Sequence, residues 1–192
     1  EYSHVLMRST NELLQLCNEI LEAIRIESGQ ITRTPQSFDI RALVEHTREL
    51  LEPVALDRKL RFTVQVEKEV PPCVVGLRAL LDRILLNLTS NALKFTEQGF
   101  VRLRVSVLDT TPLDPQSVML KITVRDSGLG IPRNKFAVIF EHFSRLTPAY
   151  EGVYKGFGLG LYMVKKYVEA MRGTINLNST VGKGTTFTLL LP

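Results

Sequence analysis

"LNLTSNALKFT", residues 86 to 96, reads as a helix with a conflict inside it. Asparagine forms helices poorly because its side chain competes for backbone hydrogen bonds. Yet Asn87 and Asn91 stand one turn apart in an otherwise apolar run, with Lys94 three residues on. At about 100° per residue, Leu81, Ile84, Leu85, Leu88, Ala92 and Phe95 share one face of a helix over 77–95. Asn87, Asn91 and Lys94 fall on a neighbouring stripe, because side chains three and four residues apart stack. The apolar face packs on a sheet, and the stripe presents two amide oxygens and an ammonium beside that core. Oxygen donors suit a hard cation such as Mg²⁺, which takes few protein ligands and keeps phosphate and water for the rest. The bland alternative is a solvated polar face, and the helix alone does not decide between them.

The elements on either side set the fold class. Upstream, Leu6, Leu13, Leu16, Cys17, Ile20, Leu21 and Ile24 recur at three- and four-residue steps over 4–27, which predicts one long amphipathic helix. Its seam of Leu13, Cys17, Ile20 and Ile24 has the spacing of a bundle stripe. "ESGQ" ends it, with Gly29 where a left-handed residue is wanted. "TRTPQS" (32–37) reads as linker, and a second unit begins at Phe38. There, residues 39–59 predict a helix capped by Asp39 and kinked near Pro53. "LRFTVQVE" (60–67) alternates as a strand. "FVRLRVSVLD" (100–109) and "VMLKITVRD" (118–126) predict a hairpin joined by the Pro-rich "TTPLDPQS". A helix over 159–171 and strands at 173–180 and 184–191 close the chain. Strands and helices in this irregular order favour α+β layering over a doubly wound sheet.

Bulk properties exclude several classes. The 192 residues carry 44% hydrophobic and 23% charged side chains, ordinary globular values with length for a real core. A formal charge of +4, with bases scattered among acids, gives no nucleic-acid arm. Cys17 and Cys73 form no CxxC pair and read as free thiols of a reducing compartment. No apolar run reaches the roughly 18 residues of a membrane span, and no signal peptide is visible. The chain opens at Glu1 without a methionine, which reads as a piece of a longer protein.

Three glycine segments sit at element ends: "DSGLGI" (126–131), "GFGLGL" (156–161) and "GKGTTF" (182–187). None makes a P-loop, and "GFGLGL" has leucine where the dinucleotide pattern wants its third glycine. Backbone amides freed at such turns and at a helix N-terminus suit a nucleotide and its phosphates.

Taken together, these segments resemble the ATP-binding catalytic domain of sensor histidine kinases, in the superfamily shared with gyrase, Hsp90 and MutL. "LNLTSNALKFT" resembles its N box, "DSGLGI" the G1 box, "IFEHF" (139–143) the F box, "GFGLGL" the G2 box and "GKGTTF" the G3 box, in the family's order. The likeness runs from Phe38 to the end, and the helix closing on "IRIESGQI" is similar to the second helix of the family's dimerisation and phosphotransfer hairpin. The resemblance implies a Bergerat-type α+β two-layer sandwich, a mixed sheet covered by helices on one face and preceded by one long helix. Its domains would be 1–30 (part of the hairpin), 31–37 (linker) and 38–192 (the ATP-binding domain).

It also implies roles. Asn91 would ligate Mg²⁺ bridging the ATP phosphates, with Asn87 as second ligand or water-positioning group. Lys94 would contact phosphate, and Asn87 and Lys94 would be the catalytic pair. Phe95 would flank the adenine, and Asp126 would accept from the adenine amino group, since a carboxylate accepts and cannot donate. Gly128 and Gly130 would let backbone approach the base, with Ile131 and Thr185 lining that side. Gly156, Gly158 and Gly160, with Leu159 and Leu161, would form the hinge and phosphate-facing end of a lid over 144–157. Arg145 and Lys155 in that lid are either γ-phosphate contacts or solvated charges. Phe140 and Phe143 are packing that anchors the lid, and Tyr150 and Tyr154 pack or face water.

Two departures from the family bear on function. Its usual Gly-Asp before the N-box helix is here Gly76-Leu77, which removes a cap worth about 1 kcal/mol. Its phosphoacceptor motif is missing: His4 is followed by "VLMRST", and neither His46 nor His142 has the motif around it. The acceptor histidine is therefore placed on a helix upstream of Glu1. The resemblance implies a histidine kinase module that binds Mg-ATP and transfers the γ-phosphoryl to that histidine for relay to a response-regulator receiver aspartate. It further implies a homodimer through the N-terminal helix in the full-length protein, no nucleic-acid partner, and a cytoplasmic portion with any membrane anchor elsewhere. The competing readings are a degenerate ATP-site scaffold acting through protein contacts, or a superfamily ATPase or serine kinase.

Overall fold

The computed structural model describes residues 34–108, 117–141 and 158–192, together with scattered residues between 7 and 28. The order is β1 (Gln36–Asp39), α1 (Ile40–Asp57), β2 (Arg61–Val66), β3 (Cys73–Gly76), α2 (Arg78–Phe95), β4 (Phe100–Val107), β5 (Leu120–Asp126), α3 (Gly160–Ala170), β6 (Thr174–Thr180) and β7 (Gly184–Leu191). Two short 3₁₀ turns, Arg133–Lys135 and Val138–Phe140, stand between β5 and α3. Five strands form one sheet in the order β2-β4-β5-β7-β6, parallel at β2–β4 and antiparallel elsewhere. The expected α+β layering with a mixed sheet is what the chain adopts.

Strict alternation makes the two faces of that sheet different. Val101, Leu103 and Val105 of β4, Ile122 and Val124 of β5, and Leu189 and Leu191 of β7 are buried. They form one core with Leu81, Ile84, Leu85 and Leu88 of α2 and Val164, Tyr167 and Val168 of α3. The other face carries Arg102, Arg104, Thr188 and Asn176, which remain partly or fully exposed.

Capping fixes where the helices begin. Asp39 Oδ1 accepts from the backbone N–H of Arg41 at 2.7 Å and of Ala42 at 3.1 Å, so α1 has the predicted cap. Helix α1 runs through Pro53 and ends one turn later at Asp57, with Lys59 at φ 56° beyond it. Helix α2 begins after Leu77, whose side chain makes no cap bond, as Gly76-Leu77 implied.

Two short strands had no counterpart in the sequence reading. β1 pairs antiparallel with β3, Phe38 opposite Val74, so Gln36 and Ser37 of the expected linker are strand. Four residues are too few for alternation to register, and this pair exists through long-range hydrogen bonding.

The described residues between 7 and 26 are helical. Ile26 is buried with the core, whereas Leu13, Cys17 and Ile24 of the seam are exposed and Ile20 is half-buried. Leu6, Leu16, Gly29 and His4 lie outside the described residues.

Candidate functional site

Helix α2 carries the stripe that the sequence picked out. Asn87, Asn91, Lys94 and Phe95 are all half-buried, beside the buried Leu88, Ala92 and Leu93. From Asn87 to Phe95 the stripe spans about 12 Å at 1.5 Å per residue. The Lys94 ammonium lies 4.9 Å from the centroid of the Phe95 ring. The C-terminal end of α2 is held by Arg58, which donates to the carbonyls of Leu93 and Lys94, the latter at 2.8 Å. That guanidinium fixes the helix end carrying Lys94 and Phe95, and nothing in the sequence pointed to it.

One end of the stripe meets the N-terminus of α3. A Cβ on Gly160 would lie 2.6 Å from Asn87 Oδ1 and 3.8 Å from Asn91 Nδ2. The helix start therefore lies close against both carboxamides, and any larger residue at 160 would have to displace Asn87. The first turn of a helix leaves backbone N–H groups unpaired and carries partial positive charge, a setting that favours an anion. Gly158, at φ 77°, turns the chain into this helix, and Leu159 is buried beneath it with Leu161 half-buried.

The other end meets the loop after β5. Asp126, only 7% exposed, accepts two backbone bonds on the same oxygen: Gly128 N–H at 2.8 Å and Thr185 N–H at 3.1 Å. Burial raises its pKa above the ordinary carboxylate value, and the two backbone bonds work in the opposite direction. The Leu129 N–H donates to the Phe95 carbonyl at 3.2 Å, which ties this loop to the end of the stripe. A Cβ on Gly128 would meet Phe95 O at 2.3 Å, and one on Gly130 would meet Thr180 O at 2.2 Å. These two glycines allow the loop to pack against its own chain. The Ile131 N–H donates to Ser179 Oγ at 2.8 Å, and Ser179 Oγ lies 3.0 Å from Thr185 Oγ1, so β6 and β7 close the wall. Phe140 packs edge-to-face on Phe187 with centroids 6.3 Å apart, consistent with a packing role.

Asn87, Asn91 and Gly160 thus converge at one end of the stripe, and Phe95, Asp126, Gly128 and Thr185 at the other. Arg145, Lys155, Gly156, Tyr150, Tyr154, His142 and Phe143 lie outside the described residues. Among the described residues no group of three or more His, Cys, Asp or Glu side chains could hold a metal. The Asn87 Oδ1 beside an anion-favouring helix start, with the Asn91 carboxamide next to it, fits Mg²⁺ carried largely by phosphate, which takes few protein oxygens.

These features define a class: a two-layer α+β domain with an asparagine helix, a buried acceptor carboxylate and a helix N-terminus facing the asparagines. Residues 76–192 match the family model described as histidine kinase-, DNA gyrase B-, and HSP90-like ATPase, and the chain belongs to that family. The hybrid signal transduction protein dokA of Dictyostelium discoideum is 39% identical over 186 residues, covering 94% of this chain and 11% of that protein. The sensor histidine kinase GacS of Pseudomonas protegens is 34% identical over 191 residues, covering 100% of this chain and 20% of that protein. Full-length ShkA, solved in complex with AMPPNP, superposes with a TM-score of 0.86 at 30% identity, covering 100% of this chain and 38% of that one. The chain spans a fifth or less of dokA and GacS. It is a histidine kinase-type ATPase domain with relatives among sensor kinases.

Proposed function

We propose that this chain is the catalytic ATP-binding module of a sensor histidine kinase, supplying the γ-phosphoryl group for a histidine on a helix outside it. The observation that carries this reading is Asp126. It is a buried carboxylate whose two recorded bonds fall on one oxygen, on the wall that continues into the asparagine stripe. Its other oxygen is the acceptor for the adenine amino group. Phe95 and Thr185 line the base, with Gly128, Gly130 and Ile131 shaping the loop beside it. Asn91 and Asn87 hold Mg²⁺ and orient the phosphates, Lys94 supplies positive charge, and the start of α3 from Gly158 to Leu161 supplies backbone donors. Mg²⁺, when bound, neutralises charge on the triphosphate, the main requirement of phosphoryl transfer. Gly156 and Arg145, outside the described residues, keep the lid role that the family resemblance implies.

His4, His46 and His142 lack an acid and a proline in the acceptor pattern, so transfer needs a second helix and a partner subunit aligned through the exposed N-terminal seam. The phosphoryl group then passes to a receiver aspartate. No helix among the described residues is long and apolar enough to cross a membrane, and this portion is assigned to the cytoplasm.

The test is titration of a fluorescent ATP analogue with and without Mg²⁺, on this chain and on Asn91→Ala. Mg²⁺-dependent binding that ADP competes away and that Asn91→Ala weakens is the expected result. A folded chain that binds no nucleotide would move the assignment to a scaffold.

A further inference from the structure

Arg83 lies on α2 one turn before Asn87 and plays no part in the roles assigned above. Its guanidinium pairs with the Glu22 carboxylate of the N-terminal helix and donates to the Tyr167 hydroxyl at 3.2 Å. The Tyr167 hydroxyl in turn donates to Glu22. Tyr167 is buried, so its hydroxyl needs such partners. Arg83 differs: its side chain keeps 49% of its surface exposed, and it borders a cavity of about 110 Å³ with Glu22, Asn87, Gly160, Met163 and Tyr167. That space is equivalent to about three or four waters, enough for a phosphate group.

The cavity joins two chemistries. On one wall, Asn87 and Gly160 form the end of the site already assigned to phosphates. On the other, Glu22 and Arg83 form an ion pair. A guanidinium has five N–H donors in a planar fork that matches phosphate as well as carboxylate. A phosphate held at Asn87 and Gly160 would face the Glu22 carboxylate, which repels it, and the Arg83 guanidinium, which attracts it. We propose that Arg83 is a phosphate-contacting residue held by Glu22 in the nucleotide-free state, so that Glu22 and the terminal phosphate compete for one guanidinium. Docking of the N-terminal helix and binding of the terminal phosphate then oppose each other, and the charge of Glu22 sets the balance. This rests on the nucleotide reading above.

The experiment uses the whole chain and compares the Mg²⁺ complex of a non-hydrolysable ATP analogue with that of ADP. Glu22→Gln is expected to tighten the triphosphate several-fold, about threefold or more for removal of one partly exposed competing charge, leaving ADP unchanged. Arg83→Gln is expected to weaken the triphosphate about tenfold, the scale of one charge-assisted bond, with ADP again unchanged. Arg83→Lys, which keeps the charge, should recover most of that preference. A triphosphate-to-diphosphate ratio that is the same in the parent, Glu22→Gln and Arg83→Gln overturns the proposal while leaving the ATP assignment intact. Equal loss of both nucleotides in Arg83→Gln, with a lowered melting temperature, shows a merely structural residue and also overturns it. A parent chain that binds neither nucleotide overturns this inference and the reading beneath it.

Discussion

The two ends of the Asn87–Phe95 stripe on helix α2 are built on different principles. Around Asp126 the geometry is closed: two backbone N–H groups converge on one carboxylate oxygen, and glycines pack against carbonyls. Around Asn87 and Asn91 the groups are half-buried side chains and a helix start, beside a cavity with a competing ion pair. On the proposed reading the first end would select a neutral flat base, and its closed geometry is preorganised for that. The second, on the same proposal, would accept a concentrated negative charge and its metal, which accessible groups allow. The comparison predicts that changes at the Asp126 end act through fixed hydrogen bonding, and changes at the asparagine end through charge and Mg²⁺.

The largest effect is expected from Asp126→Asn. The amide can still accept from Gly128 and Thr185, so the wall should survive. Its NH₂ group, however, would confront the adenine amino group with a donor. Loss of the bond plus an unpaired buried donor corresponds to about 100-fold or more in affinity, read by analogue titration. Thermal melting separates this from unfolding. A raised native pKa means that stability linked to protonated Asp126 is full below the unfolded value and lost as pH rises through the native one. The neutral amide of Asp126→Asn avoids that loss, so at pH 7 the variant should melt no lower than the parent. A lower melting temperature would show the wall itself needs the charge.

Next come the asparagine-end variants. Asn91→Ala should cost about tenfold in affinity when Mg²⁺ is present and much less in EDTA, since it would remove the proposed metal ligand. Gly160→Ala places a methyl 2.6 Å from Asn87 Oδ1 and should displace that carboxamide, weakening Mg-nucleotide while leaving the fold's melting within a few degrees. Equal losses with and without Mg²⁺ would erase the proposed difference between the two ends.

A pH series sharpens the comparison further. Because burial raises the pKa of Asp126, its carboxylate is protonated at a higher pH than an exposed aspartate. Protonation removes an acceptor, so adenine-nucleotide affinity should fall on the acid side, beginning above the ordinary aspartate range near 4. Adenosine, which lacks phosphates, should show the same fall, and Asp126→Asn should show none. An acid loss confined to nucleotides with phosphates would place the titrating group elsewhere.

How much of this could be read beforehand follows from what each feature depends on. The α2 stripe was legible because it combines a helical periodicity with unusual polar residues, whereas Asp126 was singled out only through the resemblance of "DSGLGI" to the family's G1 box. The hairpin and the Asp39 cap were legible from alternation and capping chemistry, and the α+β layering from element order, while the sandwich came from the resemblance. The β1–β3 pair was not, because four-residue strands show no period. Arg58 at the carbonyls of Leu93 and Lys94, and Glu22 with Arg83 and Tyr167, were invisible because their partners are 35 or more residues away. Arg83 alone left a trace, a cation one turn before Asn87, but its partners came only with the fold.

The smallest effect belongs to a residue remote from both ends in role. Asp39 Oδ1 satisfies two N–H groups at the start of α1, and alanine there should lower stability by about 1 kcal/mol, the usual cost of a lost cap. Helix α1 packs on α2 through the shared core, and Arg58 beyond its end holds the last carbonyls of α2. If the two nucleotide-binding ends are rigidly carried by that core, Asp39→Ala should lower the denaturant midpoint without changing the ATP-to-ADP affinity ratio. A changed ratio would mean that α1 transmits strain along α2 to Asn87, and the two ends would then have to be treated as one coupled unit.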